Sequence, residues 1–298
     1  MERPIDFWPD RHMLCGNCGD PIVVDLDWIE LWECGKEGCP RCGLACEHEN
    51  AARVTVDPDD PALEDDHVAS FFWYHTSTAP DWPVQDFDPT ADLTAEDRRK
   101  MGGDVGIASV AAVYRAKALH VGTCAAAVHN MFRRMGDQAD RDNQFYLYRV
   151  HLRPDVVVKK DWVPDPSDWL DTVVLEDVCP PGIDVTRYLN YHEDPGGLSL
   201  VLGRNAIASV QQVAIPLLDA GADDNWTLSA IKELEEASDT PVCEQDILGS
   251  WRPGPLPRAQ VGQELGEALA ARLPVNLRRQ FKSAVSFSEG EDPAQWAR

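Results

Sequence analysis

Positive charge is scarce in this 298-residue chain, because 27 lysines and arginines stand against 51 aspartates and glutamates. The resulting net charge of −24 repels phosphates at long range. This excludes nucleic-acid binding through a broad basic surface, whereas a local basic pocket for a small anionic ligand is still compatible with the composition.

Long apolar runs are also lacking. No stretch approaches the roughly 20 apolar residues needed to span a bilayer, and residues 1–6 lack the apolar core of a signal peptide. We therefore expect a cytoplasmic protein with no membrane association. Hydrophobic residues still make up 44% of the chain, which is ordinary for a globular protein and enough for one large domain or two modest ones.

Several widespread catalytic motifs are missing as well. The chain contains no P-loop, no G-x-G-x-x-G that opens a helix, no G-x-S-x-G and no H-E-x-x-H. Their absence removes most of the common nucleotide kinases, dehydrogenases, hydrolases and metalloproteases. The chain also has no internal repeat and no low-complexity tract.

Cysteine, in contrast, is abundant near the N-terminus, where six of the nine cysteines fall between positions 15 and 46. In a chain without a secretory signal, clustered cysteines indicate metal ligands before disulfides. Two C-x2-C pairs, each followed by glycine, allow both thiolates of a pair to meet one ion. The pattern resembles a zinc ribbon and predicts a zinc ion bound by Cys15, Cys18, Cys39 and Cys42.

Two further cysteines leave the ligand set open. Residues 21–33, between the pairs, are apolar and β-branched and predict a small hairpin whose second strand would end at Cys34. Cys34 could then replace Cys39, and Cys46 is a further candidate; alternatively, the extra cysteines pack as small apolar residues. Since all-sulfur sites are closed, we expect the zinc to stabilise the fold and to take no part in catalysis.

Composition divides the chain into four regions. Residues 57–67 are rich in acids and prolines, which indicates a linker. We predict a zinc-ribbon-like module over residues 1–56, an acidic linker over 57–67, a central domain over 68–218 and a helical region over 219–298.

Hydrophobic patterning predicts the elements of these regions. Strands are expected at residues 68–77, 118–123, 144–152, 198–202 and 210–217. Helices are expected at residues 107–117, 124–135, 227–237, 261–269 and 277–285. The hydroxyl of Thr123 is a suitable N-cap for the helix that follows it.

Two of the predicted strands carry a histidine, in Trp73-Tyr-His-Thr-Ser-Thr78 and in Ala118-Leu-His-Val-Gly-Thr123. A third segment, residues 187–197, has ionisable and aromatic groups ahead of a glycine turn. A single histidine at a strand end is more often a hydrogen-bonded core residue than a catalyst. The order of the three segments, with an alanine-rich helix after the second, is more informative.

This order resembles that of the ADP-ribosyltransferase clan, in particular the small bacterial rifamycin-type ADP-ribosyltransferases, over about residues 70–217. The resemblance implies an α+β fold in which split antiparallel sheets with flanking helices surround a nicotinamide group. It also implies that NAD is the substrate. The acceptor of the ADP-ribose would be a protein side chain or a small molecule, since the acidity disfavours polymeric nucleic acid.

The resemblance further assigns roles to single residues. His75 would hold the nicotinamide amide or the adenosine ribose, and His120 would stand where the family usually has a ring that stacks on nicotinamide. Glu193 would be the catalytic acid, with Asp194 and Glu176 as competitors for that role. The dinucleotide would be bound by Thr76, Ser77, Gly122, Thr123, Arg149 and Tyr191.

The implied reaction explains why such groups are needed. Breaking the nicotinamide–ribose bond builds positive charge on the anomeric carbon, and a nearby carboxylate stabilises that charge. Guanidinium groups bind phosphates bidentately, so that Arg153 and Arg187 are alternatives to Arg149 for the pyrophosphate.

Two other functions stay open. The chain departs from the family where Thr76 replaces the usual glycine and His120 the common tyrosine, which favours an inactive relative that serves as a non-catalytic binding protein. The remaining hypothesis is a metal-dependent hydrolase, although no two of its candidate histidines have ligand spacing on one element: His67, His75, His120 and His192.

Overall fold

The computed structural model describes residues 1–7, 9–83, 90, 93–137, 143–166, 173–215, 224–237, 243–245, 251–253, 257–288 and 290–297. The fold is α+β, with helices and several antiparallel sheets. The chain forms two compact units, one of Met1–Ala127 with Tyr146–Val213 and the other of Val128–Phe145 with Ala214–Arg298. The domain boundaries expected from the sequence stay predictions.

The first unit begins with a three-stranded antiparallel sheet in the order β2-β1-β3. Its strands are β1 (Arg11–Cys15), β2 (Pro21–Val24) and β3 (Ala52–Thr55). Strand β1 lies in the middle and ends at Cys15, and Cys18 lies in the connection from β1 to β2.

The hairpin expected over residues 21–33 is wrong in its second half, where the chain forms helix α1 (Leu26–Glu33). Asp25 caps this helix by accepting a hydrogen bond from the Trp28 N–H at 2.8 Å. The apolar residues that suggested a strand follow helical spacing, and three of them are buried: Leu26, Ile29 and Trp32. Cys34 therefore follows a helix and not a strand.

The acidic segment at residues 57–67 is folded. A 3-10 turn (Pro61–Leu63) precedes helix α2 (Asp65–Val68). Ala62 and Val68 are fully buried and belong to the same apolar core as Trp73. A segment composed mainly of acids and prolines thus contributes Ala62 to the core of the first unit, and Val68 follows directly after the segment.

Two larger sheets complete the first unit. One has the order β10-β6-β4, formed by β4 (Phe72–Ser77), β6 (Tyr146–Leu152) and β10 (Ile207–Ala214). The other has the order β5-β9-β8-β7, formed by β5 (Leu119–Val121), β7 (Val158–Pro164), β8 (Val185–Leu189) and β9 (Leu198–Leu202). Strand β9 pairs antiparallel with both β5 and β8, whereas β7 and β8 are parallel.

Four helices lie between these strands in the chain: α3 (Ala95–Lys100), α4 (Gly103–Ala116), α5 (Cys124–Asp137) and α6 (Leu175–Val178). The five strands and the first two helices expected from the patterning are confirmed, with their ends shifted. Strand β8 was not predicted, because its sequence contains Arg187 within an otherwise apolar run.

The two larger sheets meet at one backbone bridge. The Tyr74 N–H on β4 donates to the Gly122 carbonyl at 2.8 Å, and the Gly122 N–H donates to the Tyr74 carbonyl at 2.9 Å. A Cβ at position 122 would lie 2.8 Å from Ser199 Oγ and 3.1 Å from Ala126 Cβ. Glycine is needed here because β9 and α5 both approach the backbone closely.

The second unit is mainly helical. It contains α7 (Asp224–Glu236), α8 (Pro257–Ala270), α9 (Val275–Ala284), α10 (Pro293–Trp296) and two short paired strands, β11 (Cys243–Gln245) and β12 (Trp251–Pro253). The three helices expected in this region are confirmed. Within the described parts of the chain, no helix combines the length and the apolar character that crossing a membrane requires.

Candidate functional site

Four cysteines near the N-terminal sheet form a compact group, which we call the cysteine cluster. Their sulfur atoms all lie within 4.8 Å of one another. Cys15 Sγ is 3.7 Å from Cys42 Sγ, and Cys18 Sγ is 3.7 Å from Cys39 Sγ. The predicted ligand set is therefore the set that the fold brings together.

Two matching turns shape the cysteine cluster. Gly19 has a φ of 69° and donates its N–H to the Cys15 carbonyl at 2.9 Å. Gly43 has a φ of 72° and donates its N–H to the Cys39 carbonyl at 2.7 Å. Each turn reverses the chain directly after a cysteine pair, and glycine adopts the left-handed conformation without a steric cost.

The donor set of the cluster fits a metal ion such as zinc. Four thiolates at about 2.3 Å from a tetrahedral centre lie about 3.8 Å apart, close to the sulfur separations in the cluster. Cys34 and Cys46 lie outside the cluster found among the described residues. Cys34 follows α1 and donates its N–H to the Glu30 carbonyl at 3.1 Å. The alternative ligand sets that include Cys34 or Cys46 do not match this geometry.

Hydrogen bonds set the acidity of the two exposed cysteines in the cluster. The Leu44 backbone N–H and the Asn17 side-chain amide lower the pKa of the Cys42 thiol to about 7. The Asp20 backbone N–H lowers the pKa of Cys18, but burial and the neighbouring sulfurs outweigh it and raise that pKa to about 12. A bound cation would favour the thiolate form of all four cysteines in the cluster.

The two histidines from the predicted strands lie next to each other. His75 is on β4 and His120 is on β5, the strands that the bridge between Tyr74 and Gly122 joins. His75 Nδ1 lies 3.0 Å from the His120 carbonyl oxygen. Because a carbonyl oxygen only accepts hydrogen bonds, Nδ1 of His75 carries a proton. In the neutral ring, Nε2 is then the acceptor nitrogen.

Aromatic rings hold both imidazoles. The His75 ring stacks on Trp82, with the ring centroids 4.1 Å apart and an interplanar angle of 17°. The His120 ring meets Tyr188 edge-on at 5.6 Å, and its Nδ1 lies 3.2 Å from the Tyr188 hydroxyl oxygen. We call these four residues the histidine site. Both histidines are half-buried, so that the site is partly accessible to solvent.

The third predicted segment contains a compact loop between β8 and β9, which we call the 190–197 loop. The side-chain oxygen of Asn190 accepts hydrogen bonds from the N–H groups of His192, Glu193 and Asp194 at 3.0, 2.8 and 3.1 Å. The Asn190 N–H donates to the Gly197 carbonyl at 2.9 Å, which closes the loop. Asparagine is favoured in turns for such bonds, and here they fix the backbone of Glu193.

The 190–197 loop lies against the turn that follows His120. Thr123 donates its hydroxyl to Asp194 Oδ2 at 2.7 Å. The same hydroxyl accepts from the Ala126 N–H at 3.0 Å, which confirms Thr123 as the N-cap of α5. The fold thus brings all three predicted segments to the junction of β5 and α5.

The three candidate acids differ in their exposure to solvent. Asp194 is only 3% exposed and forms a buried ion pair with Arg11 in addition to its bond with Thr123. Glu176 is exposed on α6, and Glu193 is half-buried in the loop. Asp194 therefore holds the loop in place, and Glu193 is the more exposed of the two acids of this loop.

The hydroxyls expected to bind a dinucleotide already serve the fold. Thr76 is buried and donates to the Ala127 carbonyl at 2.8 Å, which ties β4 to α5. Ser77 Oγ accepts from the Ala79 N–H at 3.1 Å in the turn after β4. Tyr191, in contrast, is 38% exposed. The contacts of these residues with a dinucleotide stay predictions.

Arg149 lies on the surface of the sheet that contains β4. Its guanidinium lies 3.7 Å from the centroid of the Phe72 ring and forms an ion pair with Glu2. Glu2 also accepts a hydrogen bond from the Tyr74 hydroxyl, and burial together with this contact raises the pKa of Tyr74. Arg149 thus packs against an aromatic ring and already binds one carboxylate.

The alternative that Arg187 binds a pyrophosphate is wrong, because its guanidinium is enclosed. Arg187 is 1% exposed and donates to the Ala62 carbonyl at 3.1 Å. It also pairs with Asp65, so that it anchors the acidic segment to β8. Arg153 is more accessible and lies 3.4 Å from Asp155 Oδ1.

Sequence reasoning missed several residues that shape the site, namely Arg11, Trp82, Tyr188 and Asn190. Asn190 alone had a local signal, since it precedes an acid and a Pro-Gly-Gly turn at the spacing of a side-chain-capped loop. Comparison of the chain with protein-family models, with curated proteins and with solved structures finds no match. The function is therefore argued from the geometry.

Proposed function

We propose that the first unit cleaves NAD and transfers its ADP-ribose to a protein side chain or a small molecule. One observation carries the proposal: His75 Nδ1 lies 3.0 Å from the His120 carbonyl oxygen. The two sheets that carry these histidines meet at a single bridge, and the loop with Glu193 lies at the end of β5. This arrangement supports the resemblance to ADP-ribosyltransferases, which requires the three residues near one another between split sheets.

In this proposal the histidines bind the nicotinamide half of NAD. The acceptor nitrogen Nε2 of His75 takes a hydrogen bond from the nicotinamide amide or from a ribose hydroxyl. Trp82 and the His120 carbonyl fix the orientation of the His75 ring. His120, held at its edge by Tyr188, stacks on the nicotinamide ring.

Glu193 stabilises the charge that develops during the reaction. When the nicotinamide–ribose bond breaks, nicotinamide leaves with the bonding electron pair and the anomeric carbon becomes positive. The Glu193 carboxylate accepts hydrogen bonds from the ribose hydroxyls and stabilises this state. An oxygen or nitrogen of the acceptor then bonds to the anomeric carbon, and its proton passes to water.

The test is the release of nicotinamide from labelled NAD by the full chain. We expect turnover by the wild type and a kcat lowered by about a hundredfold in Glu193→Gln, since one removed electrostatic contact costs about 10²–10³ in rate. His75→Ala should raise KM for NAD. The matched control is Glu64→Gln, which removes an exposed carboxylate of the same unit and should leave the rate unchanged.

Two results would overturn this proposal. One is the absence of both nicotinamide release and an NAD-dependent rise in melting temperature, which would favour a non-catalytic binding protein. The other is a Glu193→Gln variant as active as Glu64→Gln.

We also propose that the cysteine cluster binds zinc as a structural ion. The support is the closed set of four sulfurs, two of them buried. Metal analysis of the purified full chain should find one zinc ion per chain, and a metal-free preparation that keeps its melting temperature would contradict the proposal.

A further inference from the structure

The cysteine cluster and the 190–197 loop are joined by a buried ion pair. Arg11, in the strand that ends at Cys15, donates its guanidinium to Asp194 Oδ1. Only 7% of the Arg11 side chain and 5% of the Asp194 side chain are exposed. The other oxygen of Asp194 accepts from Thr123 Oγ1 at 2.7 Å. One carboxylate therefore connects the N-terminal sheet, the loop and the first turn of α5.

A second contact seats the loop on the same sheet. Gly196 has a φ of 87°, and a Cβ there would lie 3.1 Å from Val54 Cγ1 and 3.2 Å from the Thr55 carbonyl oxygen. Both neighbours are in β3, which pairs with β1. The loop thus rests on the two strands that flank the cysteine cluster, at a distance that only glycine permits.

Because the ion pair of Arg11 and Asp194 is buried, the position of each partner depends strongly on the other. A buried carboxylate that loses its partner is strongly disfavoured, so Asp194 stays in place only while Arg11 is held opposite to it. Arg11 in turn depends on the register of β1, whose last residue is the metal ligand Cys15. Loss of the metal would free the end of β1 and the segment that leads into β3.

We propose that Arg11 is a positioning residue through which the metal-bound cysteine cluster orders the 190–197 loop. The ion pair aligns Asp194, which sets the backbone of Glu193 and the N-cap of α5. Metal binding therefore orders the loop that carries Glu193, next to the strand that carries His120. The ordering of the loop by metal rests on the proposed zinc binding, and its effect on turnover rests on the proposed cleavage of NAD.

The experiment measures hydrogen exchange of residues 190–197 in the full chain, loaded with Zn²⁺ or treated with a chelator. In the wild type, metal removal should speed exchange of the loop by at least about tenfold, while β9 keeps its protection. Zinc-loaded Arg11→Met should show the same fast loop. Arg11→Lys, which keeps the charge, should recover most of the protection. Lys100→Met, which removes an exposed ion pair with Glu96, is the matched control.

A second variant covers the case in which Arg11→Met does not fold. Arg11→Met combined with Asp194→Asn removes both charges and leaves no buried unpaired ion. Its loop should exchange fast with zinc bound, and metal removal should add nothing further. Wild-type protection of the loop in the zinc-loaded double variant would overturn the proposal, as would a wild-type loop that is unaffected by metal removal.

Turnover gives an independent readout. If the wild type releases nicotinamide, the double variant should lose about 10- to 100-fold in kcat with a smaller change in KM, as expected for a misplaced acid. A change in KM with an unchanged kcat would contradict a positioning role. If the wild type releases no nicotinamide, the proposed reaction fails, and the exchange experiment still decides whether the metal orders the loop.

Discussion

The cysteine cluster and the histidine site differ in how much of the chain each one needs. Cys15 and Cys42, whose sulfurs are in contact, are 27 positions apart, and the glycine turns that orient the cysteines lie within this stretch or directly after it. His120 and Tyr188 are 68 positions apart, and Thr123 and Asp194 are 71. A local site depends on its own turns, whereas a dispersed site depends on the packing of whole sheets.

This difference indicates which changes should disrupt each region. With the proposed zinc bound, metal–sulfur bonds would supply the stability of the cysteine cluster, so the cluster should respond to changes in its cysteines and to protons. The histidine site should respond to changes in backbone approach and helix capping, because packing holds it together. Substitutions that affect one region and spare the other would sharpen the contrast.

The largest effect should come from Cys39→Ser. Cys39 is 1% exposed and its sulfur lies in the cluster, so the variant loses a metal ligand from a buried position. We expect the affinity for Zn²⁺ to fall by more than about a hundredfold, since changes behind the ligands already cost about 10- to 100-fold. Competition with a chromogenic chelator measures this. Cys34→Ser, outside the cluster, is the control; a loss in Cys34→Ser with none in Cys39→Ser would bring back the ligand set in which Cys34 replaces Cys39.

The next largest effect is expected from Gly122→Ala, in the dispersed region. The new Cβ would lie 2.8 Å from Ser199 Oγ and 3.1 Å from Ala126 Cβ. Overpacking of this kind costs about 1–3 kcal/mol of unfolding free energy, measurable by urea denaturation. Adding Ser199→Ala removes the closer contact and should restore part of the loss. The affinity for Zn²⁺ should not change in Gly122→Ala. A loss of zinc affinity together with the loss of stability would show that the cysteine cluster depends on the packing of the histidine site.

The pH dependence of zinc binding should be the third largest of these effects. Protons compete with the metal for thiolates, and the lowered pKa of Cys42, about 7, keeps this ligand ionised above pH 7 and lets it protonate below. We expect the affinity to fall by at least about tenfold per pH unit below pH 7. Asn17→Ala removes a hydrogen bond to Cys42 and should shift this fall to higher pH. The exposed Asn205→Ala is the control, and coincident profiles for both variants would refute the role of Asn17.

The smallest effect should come from Thr123→Ala, which removes the N-cap of α5. Loss of a capping hydroxyl costs about 1 kcal/mol, and here the bond to Asp194 is lost as well. Denaturant unfolding monitored by circular dichroism should show the change. Thr123→Ser keeps the hydroxyl and should match the wild type in unfolding free energy. An alanine variant with the unfolding free energy of the wild type would mean that the cap contributes little.

Much of the fold could be predicted from short patterns. Strands β4, β6 and β9 have aromatic or β-branched runs, and α5 has a threonine cap followed by alanines, so their local preferences agree with the final structure. Helix α1 shows where this fails. Its apolar residues fit a strand by composition, and the cap at Asp25 together with burial of one face decided for a helix.

The candidate site was only partly predictable for the same reason. His75 stood out because it lies in a strand beside hydroxyl residues, and His120 because its strand runs into Gly122 and Thr123. Nothing in the sequence indicated that Arg187 is enclosed in the core or that Asp194 faces Arg11, 183 positions away. Such pairings depend on which strands become neighbours, which no spacing of a few residues encodes.

The sequence by itself indicated the four clustered cysteines, the cap of α5 and most of the helices and strands. These features follow from interactions between residues that are close in the chain, so the same few residues both carry and reveal them. Only the tertiary structure decided that two histidines meet at a bridge between sheets and that a buried arginine joins the cysteine cluster to the 190–197 loop. Those contacts form because burial of a shared apolar core brings distant segments together, and that burial is a property of the whole chain.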